Sequence, residues 1–491
     1  MGLFLGVLTF IIVSNLPVPA GLTELGLKAA AVALLMTFWW VTEAIPIAAT
    51  AMVPLVLFPT TGVLSASETA ENYGHNYVVM LIGGFILAKA FEVHNLHKRI
   101  ALLIMQLIGT SRKLIILSFM LATALLSMWI ANVAITLLML PIALAIISKE
   151  KESEGSISNF GLALMLAIAY SASIGGTGTL IGTPPNMVFA GMVEQLFPKA
   201  PEVSFFQWML LGLPLMVVFL PIIWIYLTGY FKIKGAFLGG REVIEKELIS
   251  LGKMGKAEKR VAIIFILTAL GWIFRRDFVF DAVVIPGWAS LFGVAEYVHD
   301  STVALTAAVL LFVLPSGKGN QERLIDWKTA ERIPWGVPFI VGGGYSIANG
   351  FAVTGLAAWL GNQLAFIGNF PLLVVLLFVI LLMTFLTEIN SNTATANIFL
   401  PVLASMSVAG ESHPFLLMIP ATVACSFAFM LPSGTGTNAV IFGSGIVSIP
   451  QMARCGLWLN LISIILLTIM MYLVAVPIFD ISSGLPEWVK P

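Results

Sequence analysis

The sequence predicts an all-α polytopic membrane protein made of two related halves, and three observations support this fold class. Of its 491 residues, 59% are hydrophobic and 10% are charged, whereas a soluble domain carries about 25% charged residues. Apolar runs such as LWLNLISIILLTIMMYLVAV, residues 457–476, reach the length of about 20 residues that spans a bilayer. Two polar motifs, 260 residues apart, interrupt such runs at corresponding places.

The N-terminal run GLFLGVLTFIIVSNLPVPA, residues 2–20, lacks the basic start of a secretory signal peptide. We therefore expect it to form the first membrane span. The formal net charge of zero gives no indication of nucleic-acid binding. Because Cys425 and Cys455 lie within or beside apolar segments, we expect them to be buried thiols and not a disulfide.

The distribution of lysine and arginine predicts which segments face the cytoplasm. Residues 231–260 carry eight Lys/Arg and four Glu, so the positive-inside rule places them there, either as an amphipathic surface helix or as a solvated linker. The same rule places the N-terminus and three other basic segments in the cytoplasm: 97–113, 148–155 and 317–332. The C-terminus then faces out, together with the segments near 60–78, 197–206, 274–300 and 407–414. Arg275 and Arg276 stand against this assignment.

Two apolar stretches do not cross the membrane when the sides are assigned in this way. Residues 114–147 begin and end beside basic segments, and residues 371–406 begin and end on the opposite side. Each has polar residues at its centre, and a broken helix at membrane depth persists only where protein or a wet cavity surrounds it. The sequence therefore predicts two re-entrant helical hairpins.

The two hairpins correspond in sequence. SMWIANVAITLLMLPIALA, residues 127–145, aligns with FLTEINSNTATANIFLPVLAS, residues 385–405, and both Asn132/Asn392 and Pro141/Pro401 are 260 residues apart. After each hairpin comes an interrupted helix, at 160–195 and 415–449, with the Gly/Thr/Pro-rich breaks SIGGTGTLIGTPPNMVFAG and FMLPSGTGTNAVIFGSG; a last helix is expected at 455–478. Halves that start on opposite sides form an inverted-topology repeat, which is typical of secondary transporters.

The chemistry of the four breaks suits small ions. Helices that begin at a break direct unpaired N–H groups and a partial positive charge towards it, which favours an anion such as a carboxylate. The freed carbonyl oxygens, with those of Asn, Ser and Thr, suit Na⁺. The breaks contain no Lys, Arg or His. Recognition of an anion would therefore depend on neutral donors and on cations bound beside it.

The motifs SNTATANIFLP, GTPPN and GTGTNAVIFGSG, together with residues 39–59 (WWVTEAIPIAATAMVPLVLFP) and 72–102, resemble the divalent anion/sodium symporter family. The resemblance covers nearly the whole chain. It implies about 11 transmembrane helices plus the two hairpins, and a homodimer in the bacterial inner membrane, which is the plasma membrane. It also implies elevator-type movement of a transport domain along a scaffold. It divides the chain into scaffold helices at 1–113 and 261–370, transport elements at 114–230 and 371–491, and the cytoplasmic linker at 231–260.

The resemblance also assigns site residues by position. The expected substrate-binding residues are Asn132, Val133, Thr183, Ser391, Asn392, Thr393 and Thr435. The expected sodium ligands are Ser127, Asn132 and Gly182 in the first half, and Thr387, Asn390, Asn392 and Gly434 in the second half.

The first half departs from the family pattern at two positions. Where the family has SNT, this chain has Ala131, Asn132 and Val133. The first sodium site would persist if the Ala131 carbonyl is the ligand, but Val133 presents methyl groups where a hydroxyl is expected. The second interrupted helix reads GTGTN where many relatives have ATPPN.

The expected function is sodium-coupled transport of C4–C5 dicarboxylates such as succinate, malate, fumarate and 2-oxoglutarate. Sodium-independent dicarboxylate exchange, citrate or sulfate transport, and an anion channel stay open as alternatives. An enzyme is not expected, because HExxH, GxSxG and paired intramembrane carboxylates are absent from the sequence. Glu388 either relays a proton or has a structural hydrogen-bonding role.

Overall fold

The computed structural model describes residues 2–109, 111–154, 159–235, 237, 239–280, 283–317, 322–482 and 484–489. Parts of the segments 97–113, 148–155, 231–260, 274–300 and 317–332, whose membrane side was predicted above, lie outside these residues. The described chain is predominantly helical, which confirms the all-α class. Two short antiparallel strands, β1 (Phe278–Phe280) and β2 (Val283–Ile285), were not expected.

The N-terminal part of the chain contains seven helices. The side chain of Thr23 accepts a hydrogen bond from Gly26 N at the start of α2, and Ser65 and Glu68 form a capping box at α5. These helices are α1 (Gly2–Ser14), α2 (Glu24–Thr42), α3 (Ile47–Thr50), α4 (Val53–Thr61), α5 (Ala66–Glu71), α6 (Asn76–Val93) and α7 (Leu96–Leu107).

Five helices follow, and the first two of them meet at the first polar motif. Pro141 lies inside the second of these helices. The five are α8 (Arg112–Ser127), α9 (Asn132–Glu154), α10 (Asn159–Gly176), α11 (Pro184–Leu196) and α12 (Phe205–Tyr230). The predicted interrupted helix 160–195 thus consists of α10 and α11 with a non-helical stretch between them.

In the described residues, seven helices follow α12 before the second polar motif is reached, the first of them within the linker 231–260. They are α13 (Gly239–Ser250), α14 (Lys256–Ile273), α15 (Trp288–Leu291), α16 (Asp300–Val313), α17 (Trp327–Ala330), α18 (Gly336–Thr354) and α19 (Leu356–Leu364). Within the linker 231–260, α13 is an ion-paired helix: Glu247 lies 2.7 Å from Lys98 of α7, and Glu242 pairs with Lys149 of α9.

The C-terminal part repeats the pattern of two helices meeting at a polar motif. It contains α20 (Leu372–Ile389), α21 (Asn392–Ala409), α22 (Phe415–Ala424), α23 (Gly436–Gly443), α24 (Ile449–Met470), a π-helical segment (Met471–Ala475) and α25 (Val476–Ile478). Pro401 lies inside α21, as Pro141 lies inside α9. The last long helix begins at Ile449, six residues before the predicted start at 455.

Within the described residues, eight helices are long and apolar enough to cross a membrane, and several shorter apolar helices accompany them. α10 lies at the centre, because nearly all of its residues are buried. It packs against α8, α9, α12 and α23, so it joins the two related parts. Its small residues permit this close packing: a Cβ on Gly176 would lie 2.6 Å from the amide oxygen of Asn132.

The two arginines that stood against the predicted orientation are both paired with acids. Arg275 is almost completely buried, and its Nε lies 2.6 Å from Asp300 Oδ1. Glu202, before α12, pairs with both Arg275 and Arg276. The pairs connect α12, α14 and α16 at one end of the molecule, so these arginines have a structural explanation.

Candidate functional site

The breaks between helices meet at one cavity. We call residues 127–133, between α8 and α9, the first tip, and residues 387–393, between α20 and α21, the second tip. The first loop, 176–186, separates α10 from α11, and the second loop, 428–438, leads into α23. Both tips and both loops line a cavity of about 430 Å³. Its lining from these segments is Ala131, Asn132, Val133, Ile181, Gly182, Thr183, Pro184, Ser391, Asn392, Thr393, Ser433, Gly434, Thr435 and Gly436.

Close oxygen contacts connect the two helices of the second tip. Thr387 at the end of α20 is fully buried, and Asn392 begins α21. Thr387 Oγ1 lies 2.7 Å from Asn392 Oδ1 and 2.8 Å from Cys425 O. Because a hydroxyl group has one proton, Thr387 donates to one of these two oxygens at a time. With the amide oxygen of Asn392 directed at Thr387, the other contact is between two oxygens with no proton between them, an arrangement that a neighbouring cation stabilises.

The first tip has the same arrangement. Ser127 Oγ lies 2.6 Å from Asn132 Oδ1 and 2.8 Å from Ala172 O. Ser127 is fully buried at the end of α8, as Thr387 is at the end of α20. A hydroxyl, an amide and a backbone carbonyl therefore meet at both tips.

The Asn132 amide distinguishes the two tips. The atom that it directs at Ser127 Oγ, 2.6 Å away, also faces Gly182 O at 3.2 Å and Ala172 O at 3.3 Å. If this atom is the nitrogen, it donates to these oxygens and the first tip is satisfied without an ion. If it is the oxygen, four oxygens face one another, and a cation between them would relieve their repulsion. Asn392 differs because its amide oxygen can accept the hydrogen bond of Thr387 Oγ1 in the orientation that it has.

The two loops are held in the same way. Asn186 Nδ2 donates to two carbonyl oxygens of the first loop, at 3.2 and 2.7 Å. Asn438 Nδ2 donates to two carbonyl oxygens of the second loop, both at 3.0 Å. The residues before α11 and α23 have nearly the same backbone angles, φ −145° and ψ 141° at Thr183, and φ −151° and ψ 148° at Thr435. Neither threonine caps its helix with its side chain, so both hydroxyls can face the cavity.

Four helices begin at the cavity wall, and their N-terminal ends make the site suitable for an anion. Asn132, Pro184, Asn392 and Gly436 are the first residues of α9, α11, α21 and α23. Helix N-termini carry a partial positive charge and N–H groups without helical partners. α11 contributes fewer donors than α23, because Pro184 and the proline after it have no N–H.

Glu388 organises the second loop. It is buried, and it accepts hydrogen bonds from three consecutive backbone N–H groups of residues 429–431 at 2.7, 2.9 and 3.0 Å. Asn460 Nδ2 of α24 donates to the same carboxylate at 2.7 Å. Four donors to one carboxylate support the structural role, which is the second of the two roles predicted for Glu388. The equivalent first-tip position, 260 residues earlier, is Met128.

Hydroxyl groups connect the two halves beside the cavity. Thr437 Oγ1 lies 3.3 Å from Ser173 Oγ of α10 and 3.3 Å from Thr435 Oγ1. Ser173 and Thr437 are both buried, and Thr435 lines the cavity. The first loop has Pro185 at the position that corresponds to Thr437, so this connection exists because GTGTN replaces the proline pair.

The structure brings the predicted site residues together. All seven predicted substrate-binding residues line the cavity. Ser127 and Thr387 lie behind Asn132 and Asn392 and contact their amides. Asn390 is not part of the lining, and its Oδ1 accepts from Ser391 N at 2.9 Å. Its role as a sodium ligand stays a prediction.

Sequence reasoning missed the opposite wall of the cavity. Glu43 is the one charged residue among the described residues that line it. It ends α2 with a left-handed backbone, φ 46°. Glu43 belongs to the segment 39–59 that carries the family resemblance, but the sequence gives no indication of its distant neighbours. The missed residues of this wall are Glu43, Ile47, Phe85, Pro334 and Val337. On the loops, Ile181, Pro184, Ser433 and Gly436 were also missed, and at the first tip Ala131 was considered only for its carbonyl.

Comparison with known families and proteins gives one consistent result. The family model described as the sodium:sulfate symporter transmembrane region matches residues 1–479. A sodium-dependent dicarboxylate transporter, SdcS, of Staphylococcus saprophyticus is 43% identical over 498 residues, which cover 99% of this chain and 93% of that protein. SdcS of Staphylococcus aureus strain MSSA476 is 44% identical with the same coverage.

Solved structures with a similar fold are much more distant in sequence. Neisseria gonorrhoeae MtrF, described among antimetabolite efflux pumps, has a TM-score of 0.61 at 13% identity and covers 99% of this chain and 97% of its own. The Alcanivorax borkumensis YdaH transporter has a TM-score of 0.56 at 13% identity and covers 90% of this chain and 97% of its own. At this identity, the two structures support the fold alone.

Proposed function

Since the chain belongs to the family of the sodium:sulfate symporter transmembrane region, we propose that it carries a C4–C5 dicarboxylate across the membrane together with sodium. Relatives that are 43% and 44% identical over nearly the whole chain are named sodium-dependent dicarboxylate transporters. The cavity supplies the matching chemistry. Apart from Glu43 on the opposite wall, its described lining is uncharged, and it includes four helix N-termini, which attract a dianion without binding it irreversibly.

One observation carries the proposal: each tip places a cluster of close oxygens directly behind a residue that lines the cavity. At the second tip these oxygens belong to Thr387, Asn392 and Cys425. At the first tip they belong to Ser127, Ala172 and Gly182, and the amide of Asn132 lies among them. A sodium ion in either cluster would neutralise part of the charge of a carboxylate bound on the other side of the asparagine. Affinity for the anion would then depend on the sodium concentration.

The proposed architecture is an inverted-topology repeat with two re-entrant hairpins and about 11 transmembrane helices. The same contacts occur in both halves and support this architecture. A hydroxyl contacts an amide and a backbone carbonyl at each tip, and an asparagine side chain donates hydrogen bonds to carbonyl oxygens of each loop. Prolines at equivalent positions in α9 and α21 add to this support. The relatives are bacterial, so we place the protein in the bacterial plasma membrane. The family resemblance implies a homodimer, and the distribution of lysine and arginine predicts a cytoplasmic N-terminus.

The proposed mechanism is an elevator movement of the tips and loops along the remaining helices. Residues from both parts meet at the cavity: the tips and loops form one wall, and Glu43, Ile47, Phe85, Pro334 and Val337 contribute the other. A ligand bound at such a boundary changes its exposure when one wall slides past the other. Trapping the two walls with an introduced cysteine pair would stop transport if this mechanism is correct.

Sodium-independent exchange of dicarboxylates is the second candidate, and the first tip favours it. Donation by the Asn132 amide to Ser127 Oγ, Gly182 O and Ala172 O would satisfy the first tip without sodium. The serine and threonine of the family pattern are Ala131 and Val133 here. A tip that is complete without a cation would leave the protein coupled to fewer ions, or to none.

Uptake of labelled succinate into proteoliposomes separates these functions. The first condition imposes an inward Na⁺ gradient, the second replaces Na⁺ with choline, and the third traps unlabelled succinate inside without Na⁺. We expect accumulation only in the first. Uptake only in the third condition would mean that the protein exchanges dicarboxylates and is not a sodium symporter. Non-saturable flux in the first two would indicate a channel, and no uptake in any condition would contradict the dicarboxylate assignment and lead to tests with sulfate and citrate.

A further inference from the structure

Val133 of the first tip contacts a glycine of the second loop across the cavity. A Cβ added to Gly436 would lie 2.5 Å from Val133 Cγ2, which is closer than two carbon atoms can approach. Both residues line the cavity, and 39% of Val133 is exposed there. The two halves of the chain are therefore in direct apolar contact beside the proposed dicarboxylate site.

Two departures from the family pattern meet at this contact. Val133 stands where a threonine is expected, and Gly436 is the third residue of GTGTN, at the position where a proline pair commonly begins. The backbone at Gly436 does not have a positive φ, so glycine is needed here for space and not for its conformation. A residue larger than glycine at position 436 would collide with Val133. Valine at position 133 is therefore possible only when position 436 is glycine.

Val133 cannot easily move aside. It is the second residue of α9, and a β-branched side chain in a helix has one strongly preferred rotamer. Its methyl groups cannot bind a carboxylate, so the part of a ligand that contacts them is the hydrocarbon chain. Ala131, Ile181 and Phe85 extend the apolar lining, while Ser391, Thr393 and Thr435 provide hydroxyls in the second half.

We propose that Val133, packed over Gly436, determines the substrate's chain length by filling the space between the helix N-termini that the two halves of the chain contribute to the cavity. This inference depends on the proposed dicarboxylate transport. In a cavity of about 430 Å³, the methyl groups of Val133 limit how many methylene groups fit between the carboxylates. One methylene group contributes about a fourfold difference in affinity through apolar burial.

The functional test compares succinate, glutarate and adipate as competitors of labelled succinate uptake, with four, five and six carbons. In Val133→Ala we expect the affinity for adipate relative to succinate to rise about three- to tenfold. Val133→Thr keeps the shape of the side chain, so this ratio should stay within about twofold of wild type even if overall affinity changes. Val337→Ala, which removes the same methyl groups from the opposite wall, should leave the ratio near wild type.

An unchanged ratio in Val133→Ala would overturn the inference, and so would an equal change in Val133→Thr or Val337→Ala. If wild type takes up none of the three dicarboxylates, the proposed function fails and the inference fails with it. An active wild type with an unchanged ratio in Val133→Ala rejects the inference alone, so the two failures are distinguishable.

The contact itself has a test that needs no substrate. Gly436→Ala should lower the melting temperature of the purified protein, because its Cβ collides with Val133. Adding Val133→Ala to that variant removes the colliding methyl group and should restore most of the loss. Failure of the second change to restore stability would show that Val133 is not packed over Gly436 and would overturn the inference.

Discussion

The first and second tips share the same set of contacts between their two helices, but the second tip has more polar side chains around those contacts. In both, a buried hydroxyl contacts an asparagine amide and a backbone carbonyl. The second tip keeps Ser391 and Thr393 beside its asparagine, while the first has Ala131 and Val133. Glu388 accepts four hydrogen bonds at the second tip, and the apolar Met128 occupies the equivalent position at the first.

This difference shows that the two halves of a repeat can keep the same broken-helix backbone while the side chains around the break differ in polarity. The asparagine and the hydroxyl are retained on both sides because they hold the broken helices together. The residues that differ face the cavity or the loop behind it, where a change alters ligand contacts without removing the break. We therefore expect the second tip to dominate binding of sodium and substrate, and the following predictions test that asymmetry.

The largest effect is expected from Asn392→Ala. This change removes the amide that contacts Thr387 and lines the cavity, so succinate uptake should fall about a hundredfold or more, equivalent to about 2.7 kcal/mol. Asn132→Ala should lower succinate uptake by a smaller factor. Initial rates in proteoliposomes measure both, and Asn362→Ala, an exposed asparagine of α19, is the control. Near-normal uptake by Asn392→Ala in folded protein would contradict the site assignment.

The next effect concerns stability. Glu388→Gln replaces one acceptor oxygen by an amide donor, which would face a backbone N–H of the second loop. We expect a loss of about 1–3 kcal/mol of unfolding free energy and a lower melting temperature in detergent. Met128→Leu, the volume-conserving change at the equivalent first-tip position, should cost under about 1.5 kcal/mol. Equal losses in the two variants would mean that Glu388 gives the second loop no special support.

A smaller effect is expected from the two hydroxyls. Thr387→Val removes the group between Asn392 Oδ1 and Cys425 O and keeps the shape of the side chain. The sodium concentration for half-maximal uptake should rise about tenfold, because a hydrogen bond or cation contact of about 1.4 kcal/mol is lost. Ser127→Ala should raise it about threefold or less. A larger shift in Ser127→Ala would reverse the proposed ranking of the two sodium sites.

The smallest effect is expected from restoring the family pattern at the first tip. Val133→Thr together with Ala131→Ser adds two hydroxyls to the cavity wall, and each new hydrogen bond contributes about 0.5–1.5 kcal/mol. Succinate affinity or sodium dependence should change by up to about tenfold. The single Val133→Thr variant separates the two contributions. If neither quantity moves in the double variant, the first tip does not contribute to recognition.

Much of the candidate site could be predicted from the sequence, because its residues belong to two local motifs that occur twice. Asn132 and Asn392 were paired by a fixed spacing, and the structure places both at one cavity. The helical class is confirmed, and so is the family resemblance. Glu43, Phe85 and Val337 could not be placed at the same cavity, since residues distant in sequence meet there through helix packing that no local pattern encodes.

The amino-acid sequence by itself determined the apolar helices, the positions of their breaks and the polar residues at each break. These properties depend on composition and spacing within one segment, and a polar break in an apolar helix has few stable solutions in a membrane. The tertiary structure alone decided which surfaces meet: the four donors to Glu388, the opposite wall of the cavity and the contact of Val133 with Gly436. The physical reason is distance along the chain, because segments hundreds of residues apart come into contact only when the whole bundle has packed.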